Sequence, residues 1–210
     1  SPTVVAFSPF NPTASWSAAT NGGSGYFDGS GDYLSSGAQT AFNVSGGNWT
    51  IEFWIYCSST PSTTVIAENT SNGTGGWSIQ INSSAQPVLY VSSNIITSSN
   101  ALVAGQWNHL AFVRNSSTTT FYLNGVSSGT SASDVGTTNG GLWIGARSGG
   151  SFGVSGYLGD FRIVKGTAVY TSAFTPPTAP LTATQSANTN GNPSAAITGS
   201  ATSLLSLIHI

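Results

Sequence analysis

The sequence predicts an all-β fold, an antiparallel sandwich or barrel, on three observations. About ten short strand-like runs are separated by segments rich in Gly, Ser, Asn and Pro. No stretch carries a sustained 3.6-residue apolar period flanked by helix caps. Charged residues make up only 5% of the 210-residue chain, yet aromatics reach 11% with six Trp. Disordered chains of low charge are poor in aromatics, so a packed core is the better reading.

Residues 1–24 are a Pro/Ser/Asn lead-in, with an edge strand expected at 4–7 and stopped by Pro9 and Pro12. In 25–34 two short aromatic runs meet at Asp28-Gly29, a hairpin signal. Residues 49–57 form the clearest strand. Trp49, Ile51, Phe53, Ile55 and Cys57 share one face; Thr50, Glu52, Trp54 and Tyr56 share the other. Runs at 65–67, 77–81 and 88–91 follow at short spacing. The chain is organised around 107–125. There a run at 107–114 and another at 120–124 flank a polar turn at 115–119, and Asn124-Gly125 closes the second run. In the first of these, Trp107, His109, Ala111 and Val113 oppose Asn108, Leu110, Phe112 and Arg114. Both faces are largely apolar, as in a central strand covered on both sides. Strands at 142–145 and 156–164 complete the set. Residues 168–181, carrying Phe174, Pro176 and Pro177, read as an extended strap over an open sandwich edge. Residues 182–210 have linker composition and end on a short apolar tail. The expected organisation is therefore one domain over 25–181 between a lead-in and a linker.

Composition excludes several functions. Net charge is −2, and the four cations are Arg114, Arg147, Arg162 and Lys165. That is too sparse to track a phosphate backbone, so no nucleic-acid partner is expected. No apolar run nears the roughly 18 residues that span a bilayer, so no membrane insertion is expected. Cys57 is the single cysteine, which leaves no intrachain disulfide; a lone Cys reads as a small buried apolar residue. The chain lacks Met altogether and reads as a piece of a longer protein.

An ordered set of motifs carries a family resemblance. Tyr26-Phe27-Asp28-Gly29 with Asp32-Tyr33-Leu34, then Thr50-Ile51-Glu52-Phe53-Trp54-Ile55, then Trp107-Asn108-His109-Leu110-Ala111 with Tyr122-Leu123-Asn124-Gly125, and last Gly156-Tyr157-Leu158-Gly159-Asp160-Phe161-Arg162-Ile163 together resemble a laminin-G-like, concanavalin-A-like domain. The resemblance implies an antiparallel two-sheet jelly roll. It implies a non-catalytic module that binds carbohydrate or another surface ligand, or a structural module of a filament, fibre or virion coat whose partners are neighbouring protein subunits. Residues 165–177 further resemble repeat modules of large marine bacterial or phage surface proteins, which implies an extracellular, cell-surface or virion setting. Thr202-Ser203-Leu204-Leu205 fits the step into a following unit, and 5–10 the tail of a preceding one.

The related glucanases place acidic residues close together on one strand, and retaining hydrolysis needs two carboxyl groups roughly 5 Å apart. Only Asp28 and Asp32 lie within four residues of each other, and they straddle a turn, so no enzyme is expected. His109 is read as a framework residue. Glu52, mid-strand among apolar neighbours, needs a partner such as Arg114 or Arg162, or backbone donors. The resemblance also implies a structural calcium ion, for which Asp28 and Asp160 match acidic positions expected to lie near each other; the other reading is that both are turn residues. Sugars stack on aromatic platforms, and the candidates are Trp143, Tyr157, Phe152, Trp77 and Tyr90. Of these Trp143, Phe152 and Tyr157 are preferred, with Phe152 in the small-residue loop 147–155 the best exposed aromatic.

Overall fold

A computed structural model describes residues 23–70, 74–189 and 192–206. The edge strand expected at 4–7 and the tail at 207–210 lie outside the described residues. The described residues form two antiparallel sheets. The first runs β1 (Gly25–Asp28), β12 (Ser155–Lys165), β3 (Trp49–Cys57), β8 (Trp107–Asn115), β9 (Thr118–Leu123) and β10 (Val126–Ser131). On its open side β12 also pairs β13 (Thr202–Ser206). The second sheet runs β2 (Leu34–Ser36), β11 (Leu142–Ile144), β4 (Thr64–Glu68), β5 (Ser78–Ile81), β6 (Pro87–Tyr90) and β7 (Asn94–Thr97). The expected jelly-roll sandwich is what forms.

The period-two pattern explains the packing. The odd residues of β3, from Trp49 to Cys57, enter the core between the sheets with Leu110, Phe112, Phe121, Phe161 and Ile163. Ile79 and Leu89 meet them from the second sheet. Phe53 stacks on Phe161 with centroids 5.1 Å apart, and Phe112 on Phe121 at 4.5 Å. Each such side chain contributes roughly 1.5–3 kcal/mol by leaving water. Asn124 and Gly125 both have positive φ, 51° and 79°, and make the two-residue turn from β9 into β10.

Four sequence readings change. The two runs around Asp28-Gly29 are not a hairpin: β1 joins β12 and β2 joins β11, so the segment between them crosses from one sheet to the other. The strap of 168–181 covers the outer face of the first sheet rather than its edge. Ala168, Val169, Tyr170 and Phe174 pack there on Ala111, Val113, Tyr122 and Val164. Residues 182–206 fold back instead of trailing away. Two isolated bridges, Gln185 to Ile197 and Asn188 to Ser194, shape the segment, and Ile197 is buried in the strap's cluster. Hydroxyl-rich composition does not single out a linker in a chain that is hydroxyl-rich throughout. Finally β7 and β10 lack a clear apolar alternation and carry no strand signal in the sequence, and β13, at the step expected to lead into a following unit, pairs β12 instead.

The strap's far end is pinned by the Phe174 amide, which donates to the Gly125 carbonyl at 3.0 Å. A Cβ at Gly125 would sit 1.8 Å from the Phe174 carbonyl oxygen. Gly125→Ala therefore combines a left-handed alanine with a backbone clash, and is expected to lower stability by about 2–3 kcal/mol. Urea denaturation with limited proteolysis of the strap checks this. An unchanged midpoint with a protected strap would refute it.

Candidate functional site

The strap leaves part of the outer face of the first sheet open, and there the strand order builds an aromatic ladder. Tyr26 of β1 lies directly opposite Tyr157 of β12. Tyr157 lies opposite Tyr56 of β3, and Tyr56 opposite Trp107 of β8. Successive ring centroids are 5.1, 5.9 and 5.8 Å apart. Directly paired aromatics on one face stabilise their strands. Gly156 lets β12 close on β3 beside them, since a Cβ there would lie 1.9 Å from the Tyr56 carbonyl oxygen. Trp107 and the neighbouring Trp54 are buried and form the backing of the row. Tyr26 is 38% exposed, and Tyr56 and Tyr157 are half-buried. Among the described residues none bonds the hydroxyl of Tyr26, Tyr56 or Tyr157.

Beside the ladder, under the strap, lies a buried ionic cluster. Glu52 accepts from Arg162 through Nε at 2.9 Å and through Nη2, and from the Tyr170 hydroxyl at 2.8 Å. His109 Nε2 stands 3.4 Å from Glu52 Oε2, with Trp54, Tyr170 and Phe174 set edge-on around its ring. Burial pushes the Glu52 carboxyl upward, but Arg162 and His109 outweigh it and hold it at about 2. Of the two partners anticipated for Glu52, Arg162 is the one; Arg114 instead reaches Asp134 at 3.4 Å. The Arg162 Nη1 also donates to the Thr182 carbonyl at 2.9 Å and to Gln185 at 3.1 Å. One side chain thus ties the sheet, the strap and the returning segment. Cys57 is buried, and its thiol is pushed up to about 12 by that burial, in keeping with an inert core residue.

The three preferred aromatics do not form one site. Tyr157 is in the ladder. Trp143 is half-buried on β11 of the second sheet, between the inward-facing Leu142 and Ile144. Phe152 is 45% exposed as expected, but its ring lies 4.4 Å beneath the Arg147 guanidinium. Of the wider candidates, Trp77 is fully buried, its indole nitrogen donating to the Phe42 carbonyl. Tyr26, Tyr56 and Trp107 escaped the sequence reading because each is an ordinary alternate strand position. Only the strand order and register bring them together.

The expected pairing of Asp28 with Asp160 does not form. Asp28 pairs Ser155, five residues along β12 from Asp160, a separation of roughly 16 Å at about 3.3 Å per residue. The Asp28 carboxylate accepts the Ser30 amide, and Asp32 accepts the Asp28 amide, so both serve the turn. Asp160 is buried at a bulge of β12 with φ 50°, and neither carboxylate oxygen has a well-formed hydrogen bond. Among the described residues no group of three or more His, Cys, Asp or Glu side chains converges. These residues do not fit a calcium site built on both carboxylates.

Comparison with known proteins agrees with this architecture. The family model described as the Concanavalin A-like lectin/glucanases superfamily matches residues 28–169, more than half of the chain. The chain belongs to this superfamily. No curated protein matches its sequence. Among solved structures, domain 4 of AbnA, a GH43 extracellular arabinanase from Geobacillus stearothermophilus in complex with arabinotriose, is similar. It has a TM-score of 0.55 and 16% identity, over 70% of this chain and 72% of that one. Domains LG4-5 of the mouse laminin alpha1 chain give a TM-score of 0.53 at 18% identity, over 75% and 46%. The botulinum neurotoxin serotype D binding domain gives 0.52 at 14%, over 73% and 41%. The chain thus spans less than half of the laminin and neurotoxin chains. At these identities the likeness carries the concanavalin-A-like fold alone, and the ladder is a property of this chain's own residues.

Proposed function

We propose that this protein is a non-catalytic recognition module that binds a glycan or other surface-displayed ligand on the ladder of Tyr26, Tyr157 and Tyr56, backed by the buried Trp107. One observation carries the reading: an in-register row of rings, fixed by two buried tryptophans, presents on a sheet face three hydroxyls that are unengaged among the described residues. Rigid rings offer contact area at little entropic cost, and their hydroxyls supply orientation. The catalytic alternative is disfavoured by the acids on the same face. Glu52 and Asp160 are buried, and Glu52 is engaged by Arg162 and Tyr170. The arabinotriose complex and the extracellular enzyme of the first-named relative, together with the laminin likeness, support a glycan ligand and an extracellular setting. A cell-surface or virion location within a larger protein follows from the motif resemblance.

A glycan array tests this reading with the full chain, with and without EDTA. Saturable binding is expected, weakened about tenfold or more by Tyr157→Ala or Tyr56→Ala, and unchanged by Trp143→Ala or Phe152→Ala. Binding that survives both ladder substitutions would overturn it. The second reading, a structural module, draws on β2. Its three residues are exposed along the edge of the second sheet, with Leu34 at 40% exposure. Such an edge is open to strand addition by a neighbouring chain.

A further inference from the structure

We infer that the ladder takes an uncharged glycan chain lying across the strands, recognised by stacking and tyrosine hydroxyls without ionic contacts. This rests on the recognition reading above and goes further in naming the chemistry of the ligand. The first argument is charge. All four Lys and Arg residues are engaged away from the ladder. Arg162 lies under the strap on Glu52, Arg114 is on Asp134, Arg147 covers Phe152, and Lys165 donates to the Thr40 carbonyl at 3.3 Å. None of them stands in the row to answer a sulfate or carboxylate. Beside the exposed Tyr26 end stand the exposed carboxylates Asp28, on the same strand, and Asp32, on the following turn. An anionic glycan would meet like charge there.

The second argument is shape. The rings of Tyr26, Tyr157 and Tyr56, in register across three neighbouring strands, span about 10 Å at roughly 4.8 Å per strand gap, with the buried Trp107 behind them. The larger concavities lie among other residues. One of about 270 Å³ is walled by Tyr170, Pro177, Thr182 and Gln185. Another of about 340 Å³ is walled by Asp28, Cys57, Thr64 and Ser155. No ladder residue lines either, so the row suits linked sugar rings laid on the surface rather than one ring enclosed. The apolar C–H faces of such rings pack on the aromatic faces, and their hydroxyls meet those of Tyr26, Tyr56 and Tyr157.

The test is affinity electrophoresis and calorimetry of the full chain against neutral polysaccharides and sulfated forms of the same backbones, at low and high salt. The expected result is binding to at least one neutral polymer that changes less than about twofold with salt. Tyr157→Ala and Tyr26→Ala should abolish it, and Tyr157→Phe should weaken it by several-fold by removing the hydroxyl alone. Circular dichroism of each variant reports that it is folded. Salt-sensitive binding to the sulfated polymers only, still lost on Tyr157→Ala, would overturn the neutral-ligand inference and leave the platform standing. Glycan binding indifferent to every ladder substitution, or no glycan binding alongside self-association lost on Tyr157→Ala, would overturn both.

Discussion

Replacing Arg162 by Leu is expected to lower the unfolding free energy at pH 7 by about 3–5 kcal/mol, the range for stripping one partner from a buried ion pair. Glu52 is fully buried, and Arg162 is the cation that offsets its desolvation. The Arg162 side chain also holds the Thr182 carbonyl and Gln185, so its loss frees the segment that returns over the strap. The pH dependence separates charge from packing. In the wild type the Glu52 carboxyl lies at about 2 against an ordinary 4.5. Its contribution is therefore present above pH 4.5 and is lost as pH falls through 2. Without Arg162, burial is opposed by His109 only and the carboxyl rises from about 2, so the deficit should narrow as pH falls from 7 and the variant's Glu52 takes up a proton before the wild type's does. Urea midpoints at pH 7 and pH 4.5 measure this. Should Arg162→Leu fail to fold at pH 7, the double variant Glu52→Gln with Arg162→Leu should recover a cooperative transition. A single variant as stable as wild type, or a deficit that does not change with pH, would show that the cluster does not hold the strap down.

Much of this arrangement was legible in the residues, and the boundary is physical. Strands β3 and β8 were readable because long runs of apolar and aromatic residues between turn signals leave only a strand covered on both faces. Asn124-Gly125 was readable because a two-residue turn with positive φ at both positions selects those residues. The need of Glu52 for an arginine followed from the desolvation of a mid-strand carboxylate. The ladder was not legible, because its unit is cross-strand register. Tyr26 and Tyr157 are far apart in the chain and meet only because β1 pairs β12. The same holds for Asp28 and Asp160. They were expected to be neighbours from the order of motifs, but the register sets them five residues apart along one strand. The linker reading of 182–206 failed because Gln185 and Ile197, single residues in a hydroxyl-rich stretch, decide that the segment returns to the sheet.

Asp160 should make the protein less stable as pH rises, and Asp160→Asn should remove that loss. The carboxyl is buried where β12 bulges, and burial pushes it up to about 7 from an ordinary 3.8. The Leu181 amide of the strap and Arg162 pull it down and Glu52 pushes it up, but desolvation is the largest of these effects and decides. The folded protein then keeps a proton that the unfolded chain releases. The resulting stability is fully present below about pH 3.8 and is lost as pH rises through 7. At roughly 1.4 kcal/mol per pH unit, the shift amounts to about 4 kcal/mol. Asn keeps the shape and carries no charge. The variant is expected to match wild type near pH 4 and to exceed it by up to that amount at pH 8, in urea denaturation at both values. Equal midpoints at pH 8 would mean that Asp160 ionises without penalty and that the strap admits water at the bulge. With Glu52 eroding stability on the acid side and Asp160 on the neutral side, the wild type should be most stable near pH 4–5. The two carboxylates, on one face under one strap, push in opposite directions because only Glu52 has an arginine paired to it.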